Sequence, residues 1–343
     1  MRKHIHLTFL LLSAAATAHA ATPFERQFRD WRVACSNLGH CAAHSNDPEH
    51  SGWTGVILHR AAGPGGAMQA SISSDADISV DGGMLDLVRG WQVVDGRRRT
   101  SRDPAAIRHF IDTVRNAQEL EIAGGPDGKG DVEDTVSLHG LSAALLFIDE
   151  FQGRLGSEDA WIRRGPRKPA SVPAAPRPAA LPAFAPARAF AKGEAARLLT
   201  AARKGVPRGS DSDCDPELAA QGEAHPLTRD EALVMVVCWR GAYQEGGPVL
   251  RVSRTAPYRA MPLALPLLGG ETTSDLTFAG FDPRTGELSH FAKGRGIGDC
   301  GEAARWRFDG RGFRLVDYRV MPTCSGFPPA SWPALVGPAE PAR

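Results

Sequence analysis

Three residues near the middle of the chain, His139, Ser142 and Asp149, are of the types that form a nucleophilic catalytic triad. In a triad the histidine takes the serine proton while the acidic residue orients the imidazole ring. Here Ser142 does not lie in a G-x-S-x-G sequence, and a helix through these positions would point the three side chains to different faces. We therefore expect no triad, with Ser142 capping or packing the helix and Asp149 and Glu150 solvated.

Two segments carry residue types that bind cations. One loop offers four candidate ligands: His44, Asp47, Glu49 and His50. Residues 211–217 have the alternating carboxylates of a calcium loop, but Pro216 stands where such a loop needs glycine and Gly222 where it needs glutamate. The preferred interpretations are a solvated polar loop and a cysteine-tethered acidic loop. We predict no metal site and no cofactor.

Residues 294–301 form a glycine-rich loop, Gly-Arg-Gly-Ile-Gly-Asp-Cys-Gly. Consecutive backbone N–H groups of such a loop can converge on an anion, and Lys293 and Arg295 would add positive charge. The segment does not match G-x-x-x-x-G-K-[ST], and the hairpin expected after it denies a βαβ context. The preferred alternative is that the glycines permit a sharp bend anchored by Cys300.

A second segment carries Trp239, Arg240 and Tyr243, residue types that are enriched at interaction hot spots. If it adjoins the glycine loop, the two form a patch for an acidic protein surface or an anionic glycan. If it does not, Trp239 belongs to the core, which is the slightly favoured interpretation. The candidate partner-binding residues are Lys293, Arg295, Gly296, Gly298, Trp239, Arg240 and Tyr243.

The helices and strands that would position His139, Ser142 and Asp149 lie in residues 21–165. Asp103 followed by Pro104 predicts a helix over residues 104–117, and apolar residues at helical spacing before Gly153 predict another over residues 141–152. Period-two patterns predict strands around residues 28–35, 55–60, 67–73, 119–123 and 134–138. We therefore expect an α+β domain, an antiparallel sheet with two helices against it.

The elements of residues 191–343 are a short helix over residues 192–202 and then mainly strands. The predicted strands are residues 233–239, 249–253, 276–281, 288–292, 306–308 and 313–318. This predicts a mainly antiparallel β domain. Between the two domains, residues 166–190 form a Pro/Ala-rich linker with seven prolines between 166 and 186, which predicts a semi-rigid spacer and separable domains.

Composition limits the function classes. A chain of 343 residues suggests two domains. Residues 21–165 contain 15 Lys+Arg and 21 Asp+Glu, a net charge of −6. Residues 191–343 contain 19 Lys+Arg and 18 Asp+Glu, a net charge of +1. Neither region has the positive field that nucleic-acid binding relies on, so nucleic acid is not an expected partner.

The N-terminal segment has the order of a cleaved secretory signal. Arg2 and Lys3 precede an apolar run over residues 7–16 and then Ala18-His19-Ala20. No cysteine stands at the cleavage point, which argues against a lipid anchor, and no later run approaches the length of a transmembrane helix. We predict a signal peptide over residues 1–20 and a soluble periplasmic protein.

Six cysteines in an exported protein indicate three disulfides. Six cysteines permit about 15 pairings, among which sequence alone does not choose. The preferred pairing joins neighbours: Cys35 with Cys41, Cys214 with Cys238, and Cys300 with Cys324.

Several motifs together resemble a family of exported Gram-negative proteins catalogued as domain of unknown function 1176. They are Trp31 with Cys35 and Cys41, residues 60–64, 136–138 and 141–146, Asp149 with residues 152–154, and residues 238–243, 293–301 and 306–313. Gln244 stands where that family is expected to have asparagine. The opening motif is also faintly similar to the invasion-associated protein B family. Neither resemblance implies a catalytic residue.

The predicted function is a non-enzymatic binding or protein-interaction module of the cell envelope. The alternative is an envelope hydrolase whose site is not recognisable from sequence. A histidine such as His139 or His225 beside a serine in a pocket would favour the hydrolase.

Overall fold

The computed structural model describes residues 21–46, 53–124, 130–177, 180, 184–206 and 214–337. The predicted signal peptide, Asp47, Glu49 and His50 of the proposed metal loop, and residues 211–213 lie outside these ranges. The described residues form mostly antiparallel sheets with four α-helices. None of these helices has the length and apolar character needed to cross a bilayer.

Residues 21–165, called the first half below, contain eleven strands and two helices among the described residues. In chain order they are β1 (Phe24–Phe28), β2 (Trp31–Cys35), β3 (Cys41–Ser45), β4 (Val56–Arg60), β5 (Met68–Ile72), β6 (Ile78–Val80), β7 (Gly83–Met84), β8 (Trp91–Val94), β9 (Arg98–Ser101), α1 (Pro104–Val114), β10 (Glu119–Ala123), β11 (Val132–Ser137) and α2 (Leu141–Phe151).

The first half is built on a seven-stranded antiparallel sheet in the order β1-β2-β3-β4-β5-β9-β8, beside a four-stranded sheet in the order β11-β10-β6-β7. Alternate residues of a strand point to opposite faces. Ala43 and Leu58 belong to the core cluster of the first half, whereas their neighbours Ala42 and Ile57 belong to a second cluster on the other face. The central strands β3 and β4 are therefore covered on both faces.

Capping residues and apolar stripes explain where the two helices of the first half form. The Asp103 carboxylate accepts a hydrogen bond from the Ala105 N–H as an N-cap, and α1 ends at Val114, earlier than predicted, where the Ala117 N–H turns back to the Val114 carbonyl. Helix α2 begins after Gly140, which has a φ of 100°. A Cβ at Gly140 would lie 1.9 Å from the Phe28 carbonyl oxygen, so only glycine fits there.

Residues 191–337, called the second half below, and the linker contain the remaining described elements. In chain order they are α3 (Glu194–Gly205), α4 (Pro216–Ala219), β12 (Glu223–Pro226), β13 (Glu231–Met235), β14 (Trp239–Arg240), β15 (Glu245–Ser253), β16 (Ala260–Pro262), β17 (Leu265–Pro266), β18 (Thr272–Thr273), β19 (Asp275–Thr277), β20 (Gly280–Asp282), β21 (Glu287–Lys293), β22 (Gly301–Phe308), β23 (Phe313–Met321) and β24 (Ala334–Val336), with 3-10 turns at Pro169–Ser171, Leu268–Gly270 and Pro329–Ser331.

The second half has a sheet in which β15 is the centre, because β13, β14, β16 and β19 all pair with it, and a five-stranded meander from β20 to β24. Two predicted strands of this half are interrupted, as is the predicted strand 28–35 of the first half, which is split by the turn between β1 and β2. The predicted strand 233–239 breaks after Met235, where Gly247 approaches so closely that a Cβ would lie 2.2 Å from the Val236 carbonyl oxygen. The predicted strand 276–281 breaks at Phe278, whose φ of 44° turns the chain from one sheet into the other.

The structure contains three disulfides, and they pair neighbouring cysteines: Cys35–Cys41, Cys214–Cys238 and Cys300–Cys324. The Cys35–Cys41 bridge lies across the β2–β3 hairpin, where the two residues are register partners. No described cysteine is free.

The two halves share a core cluster, which consists of Ala42, Ile57, Cys300, Met321, Phe327 and Trp332. Hydrogen bonds accompany it: Ser73 Oγ donates to the Ser325 carbonyl at 2.5 Å, and Thr323 Oγ1 donates to Asn46 Oδ1 at 2.7 Å. The linker also makes contacts, since Val172 is buried. The division into two separable domains stays a prediction.

Truncation of the shared cluster tests how strongly the halves are coupled. We expect Phe327→Ala to lower the free energy of unfolding by about 3–5 kcal/mol, because the side chain is fully buried. Urea denaturation followed by circular dichroism measures this, with exposed Met84→Ala as the control. Two transitions in the unsubstituted protein, with only one shifted by Phe327→Ala, would instead support separable domains.

Candidate functional site

The structure does not assemble the three triad-type residues. Ser142 Oγ donates to the Arg115 carbonyl at 2.6 Å, and the exposed His139 ring lies 3.8 Å from an Asp30 oxygen. Among the described residues the His225 ring pairs with Glu223 instead of a serine.

The expectation that Asp149 is solvated is wrong. Its carboxylate is buried and accepts hydrogen bonds from the backbone N–H groups of Trp161 at 2.9 Å and Ile162 at 2.8 Å. Desolvation raises the pKa of Asp149, and these two N–H groups oppose that effect. The chain that follows α2 folds back over the helix. The backbone N–H groups of Trp161 and Ile162 in that segment need hydrogen-bond acceptors, which the Asp149 carboxylate provides. Asp149 is therefore a structural residue; Glu150 is exposed as expected.

The candidate metal ligands have other roles where they are described. His44 lies buried in β3 instead of in a solvated loop, so that expectation is wrong, and its Nδ1 lies 3.2 Å from the Ser45 carbonyl. Asp215 caps α4 by accepting from the N–H groups of Glu217 and Leu218. In the described ranges, one group of metal-ligating types, Asp299 with Cys300 and Cys324, lies within 4.8 Å. Its two sulfurs form a disulfide and offer no thiolate.

The glycine-rich loop is a closed bend between β21 and β22. The Gly294 N–H donates to the Cys300 carbonyl at 2.8 Å. Across the bend the Arg295 guanidinium binds both oxygens of Asp299, at 2.7 and 2.5 Å, and Asp299 also accepts from the Gly326 N–H at 2.8 Å. Burial favours a higher pKa for Asp299, but these hydrogen bonds outweigh it and lower the pKa. The loop thus holds a carboxylate of its own.

The two predicted binding segments adjoin. The Lys293 N–H donates to Gln244 Oε1 at 3.0 Å, and a Cβ at Gly296 would lie 3.7 Å from Tyr243 Cδ1. Tyr243 and Trp239 are 43% and 42% exposed, so the interpretation of Trp239 as a core residue is wrong. Trp239 lies in the two-residue strand β14, where its ring contacts Gly246 without being covered by another layer.

Three further residues belong to this surface and were missed from sequence. The Trp53 ring, 66% exposed, lies 4.4 Å from the Arg295 guanidinium carbon, although the two are far apart in the chain. The Lys293 Nζ lies 4.9 Å from the centre of the Phe278 ring. Ile297, at the tip of the bend, is 59% exposed. We call Trp53, Trp239, Tyr243, Phe278, Ile297, Lys293 and Arg295 the aromatic patch.

The charges of the aromatic patch are largely compensated. Arg295 pairs with Asp299, and the neighbouring Arg240 pairs with Glu245 at 2.7 Å. Among the described residues Lys293 has no carboxylate partner and contacts aromatic rings instead. The surface is thus apolar and aromatic, with one cation that has no carboxylate partner among the described residues.

The fold and this surface define a disulfide-bonded, antiparallel β-rich protein with an exposed aromatic patch. The chain matches the family described as Protein of unknown function (DUF1176) over residues 25–338, and it belongs to that family. It is similar to the uncharacterized protein YpfG of Escherichia coli (strain K12), with 35% identity over 353 residues that cover 98% of this chain and 99% of the relative. No solved structure matches the chain. The similarity to the invasion-associated protein B family is not shown.

Acidification should destabilise the fold through its buried histidines. Desolvation lowers the pKa of His44 and of His59 from 6.5 to about 4. Between these values the unfolded chain binds protons that the folded chain does not, so the free energy of unfolding decreases as pH falls through this window. For the fully buried His44 the loss is about 3 kcal/mol, because each factor of ten in proton affinity corresponds to about 1.4 kcal/mol.

Urea denaturation at about pH 7 and about pH 4.5 measures this effect. His44→Asn keeps a side-chain donor but does not titrate, so the stability difference between the two pH values should shrink. His109→Asn, on the exposed face of α1, is the control and should leave that difference unchanged. A His44→Asn protein as acid-sensitive as the parent would contradict the assignment.

Proposed function

We propose that this protein is a non-enzymatic binding module of the cell envelope that contacts a partner protein through the aromatic patch. The observation that supports this proposal is the exposure of Trp53 against the Arg295 guanidinium, of Tyr243 beside Gly296, and of Ile297 in the same bend. Exposed aromatic and aliphatic side chains in one place usually mark an interaction surface. Tryptophan, tyrosine and arginine are also the types most enriched at interaction hot spots.

The aromatic patch is held in place before any partner binds. The Cys300–Cys324 disulfide closes one side of the glycine-rich bend, and the Arg295–Asp299 ion pair closes the other. The Trp53 N–H donates to Asp134 at 3.0 Å, which fixes the chain that carries the Trp53 ring. A surface that is ordered in the free protein loses less conformational entropy on binding, which favours affinity.

The chemistry of the patch favours a protein partner over an anionic glycan. Arg295 and Arg240 already pair with carboxylates, so little positive field remains for a polyanion. The partner surface that fits best has an apolar centre and a carboxylate placed opposite Lys293. The alternative of an envelope hydrolase gains nothing from His139 and His225, whose rings face Asp30 and Glu223.

Export and domain organisation belong to the same proposal. Residues 1–20 act as the signal peptide, and the mature protein resides in the periplasm, where disulfides such as the three observed here persist. Residues 21–165 form an α+β domain and residues 191–343 a mainly β domain. The aromatic patch draws Trp53 from the first and Lys293 from the second.

Site-specific photocrosslinking tests the proposed interaction surface. A photoreactive amino acid at Ile297 in the full-length protein should crosslink to a protein in living cells. The same amino acid at Val88, which is 83% exposed and lies outside the patch, should not. Adding Trp53→Ala and Tyr243→Ala should lower the crosslinking yield about tenfold or more, as the loss of two hot-spot residues predicts.

Two outcomes would overturn the proposed function. Equal crosslinking from Val88 would show that the patch is not selective. A crosslinked product whose added mass is carbohydrate instead of polypeptide would replace the protein partner with a glycan.

Export has its own test. Protein recovered from the periplasmic fraction should begin near Ala21 by intact mass, and its six cysteines should resist a thiol reagent until a reductant is added. Retention of residues 1–20, or reaction of the cysteines without reductant, would contradict the periplasmic assignment.

A further inference from the structure

A cavity of about 670 Å³ lies between strands β3 to β5 and the C-terminal segment, away from the aromatic patch. Its volume is within the range of small-molecule sites. The ionisable side chains in its wall include Arg60, Arg102, Arg108, Arg319, His59 and Asp159. It shares no residue with the aromatic patch, so the inference below does not depend on the proposed function.

Arg60 places a buried, incompletely satisfied cation in the cavity wall. Its Nη2 donates to Asp159 Oδ2 at 2.6 Å and to the Asp159 carbonyl at 3.0 Å, whereas its Nε and Nη1 are buried without a partner. Buried polar atoms almost always have a hydrogen-bond partner. Burial, and then the neighbouring Arg154, lower the pKa of Arg60 to about 10, whereas Asp159 and Asp149 act in the opposite direction.

Asp159 is the one carboxylate in the wall formed by the described residues, and it is already occupied. Its Oδ2 accepts from Arg154 at 2.7 Å as well as from Arg60, and its Oδ1 accepts from Ser157 Oγ at 2.7 Å. It cannot compensate the other arginines.

Two further arginines of the wall, the partly buried Arg108 and the exposed Arg102, have no carboxylate partner among the described residues. In the described ranges Arg108 has no hydrogen-bond or ion-pair partner and its Nε is buried. Arg102 donates only to Gln69 Oε1, at 3.2 Å. Arg319 is balanced, because its Nε pairs with Asp317 at 3.0 Å.

His59 adds no charge near neutral pH. Its pKa is lowered to about 4 by burial, and by Arg319. Because the neutral ring lies 3.2 Å from the Ser331 carbonyl, Nε2 is the protonated nitrogen and donates to it. The arginine guanidinium groups are the permanent positive charges of the cavity wall.

We infer that this cavity binds the phosphate group of a small molecule. A phosphate carries about −1.5 to −2 charge at neutral pH and several acceptor oxygens, so it can pair with two guanidinium groups, those of Arg108 and of the exposed Arg102. Guanidinium groups bind phosphate oxygens through paired N–H donors, and they keep their charge when partly buried. A single carboxylate carries less charge and fewer acceptor oxygens than a phosphate, so it can pair with fewer of these donors.

Calorimetric titration of the mature protein at low ionic strength tests this inference. The probes are inorganic phosphate, glucose 6-phosphate and citrate, with citrate as the carboxylate comparison. We expect saturable binding of a phosphate probe, weakened about tenfold or more by Arg102→Ala and by Arg108→Ala. Arg97→Ala, at an exposed position outside the cavity, is the matched control and should bind as the parent does. Circular dichroism verifies that each variant is folded.

The comparison of probes identifies the kind of ligand, and the comparison of variants shows whether it binds in the cavity. Tighter binding of glucose 6-phosphate than of inorganic phosphate supports a phosphorylated molecule, and equal binding supports free phosphate. The inference is overturned if neither phosphate probe binds in the millimolar range, if citrate binds and phosphate does not, or if the folded Arg102→Ala and Arg108→Ala proteins bind like the parent.

Discussion

The buried guanidinium of Arg154 is the interaction on which the first half depends most. It donates to Asp159 at 2.7 Å, to the carbonyls of Ala61 and Gly63 at 2.9 and 2.7 Å, and to Gln152 at 2.8 Å. One side chain thereby ties the chain that leaves α2 to the turn between β4 and β5. Breaking such a network by removing one partner leaves buried charge uncompensated, which costs about 3–5 kcal/mol. The same network holds Asp159 against Arg60 and so shapes the wall of the arginine-lined cavity.

The Arg154 network positions the sheet on which the second half packs. The network holds the turn between β4 and β5 in place. On one face of the seven-stranded sheet, Ala42 and Ile57 pack against Phe327 and Trp332 of the second half. Both the cavity and the aromatic patch contain residues from the two halves. Arg108 and Arg319 line the cavity, and Trp53 contacts Arg295 in the aromatic patch. Sites formed between packed units are common, because two surfaces together make a concavity that neither makes alone.

Local features were predictable from the sequence, and long-range ones were not. The Asp103 cap and the apolar stripe of α2 follow from signals within a few residues, and they appear where those signals place them. The burial of Asp149 depends on N–H groups twelve and thirteen residues further along, which no periodicity reveals. The contact of Trp53 with Arg295 and the gathering of Arg108 and Arg319 around one cavity depend on the packing of distant segments.

The sequence separations of the disulfides are 6, 24 and 24 residues, and each bridge lies within one half of the chain. The backbone of residues 166–190 is thus the sole covalent connection between the halves. Among the described residues their contacts include apolar packing, hydrogen bonds and the contact of the Arg295 guanidinium with the Trp53 ring. Such an arrangement suits fragment complementation. A chain cut in this linker keeps every disulfide within its own fragment, so recombination of the two pieces through the surface around Phe327 would require no thiol exchange.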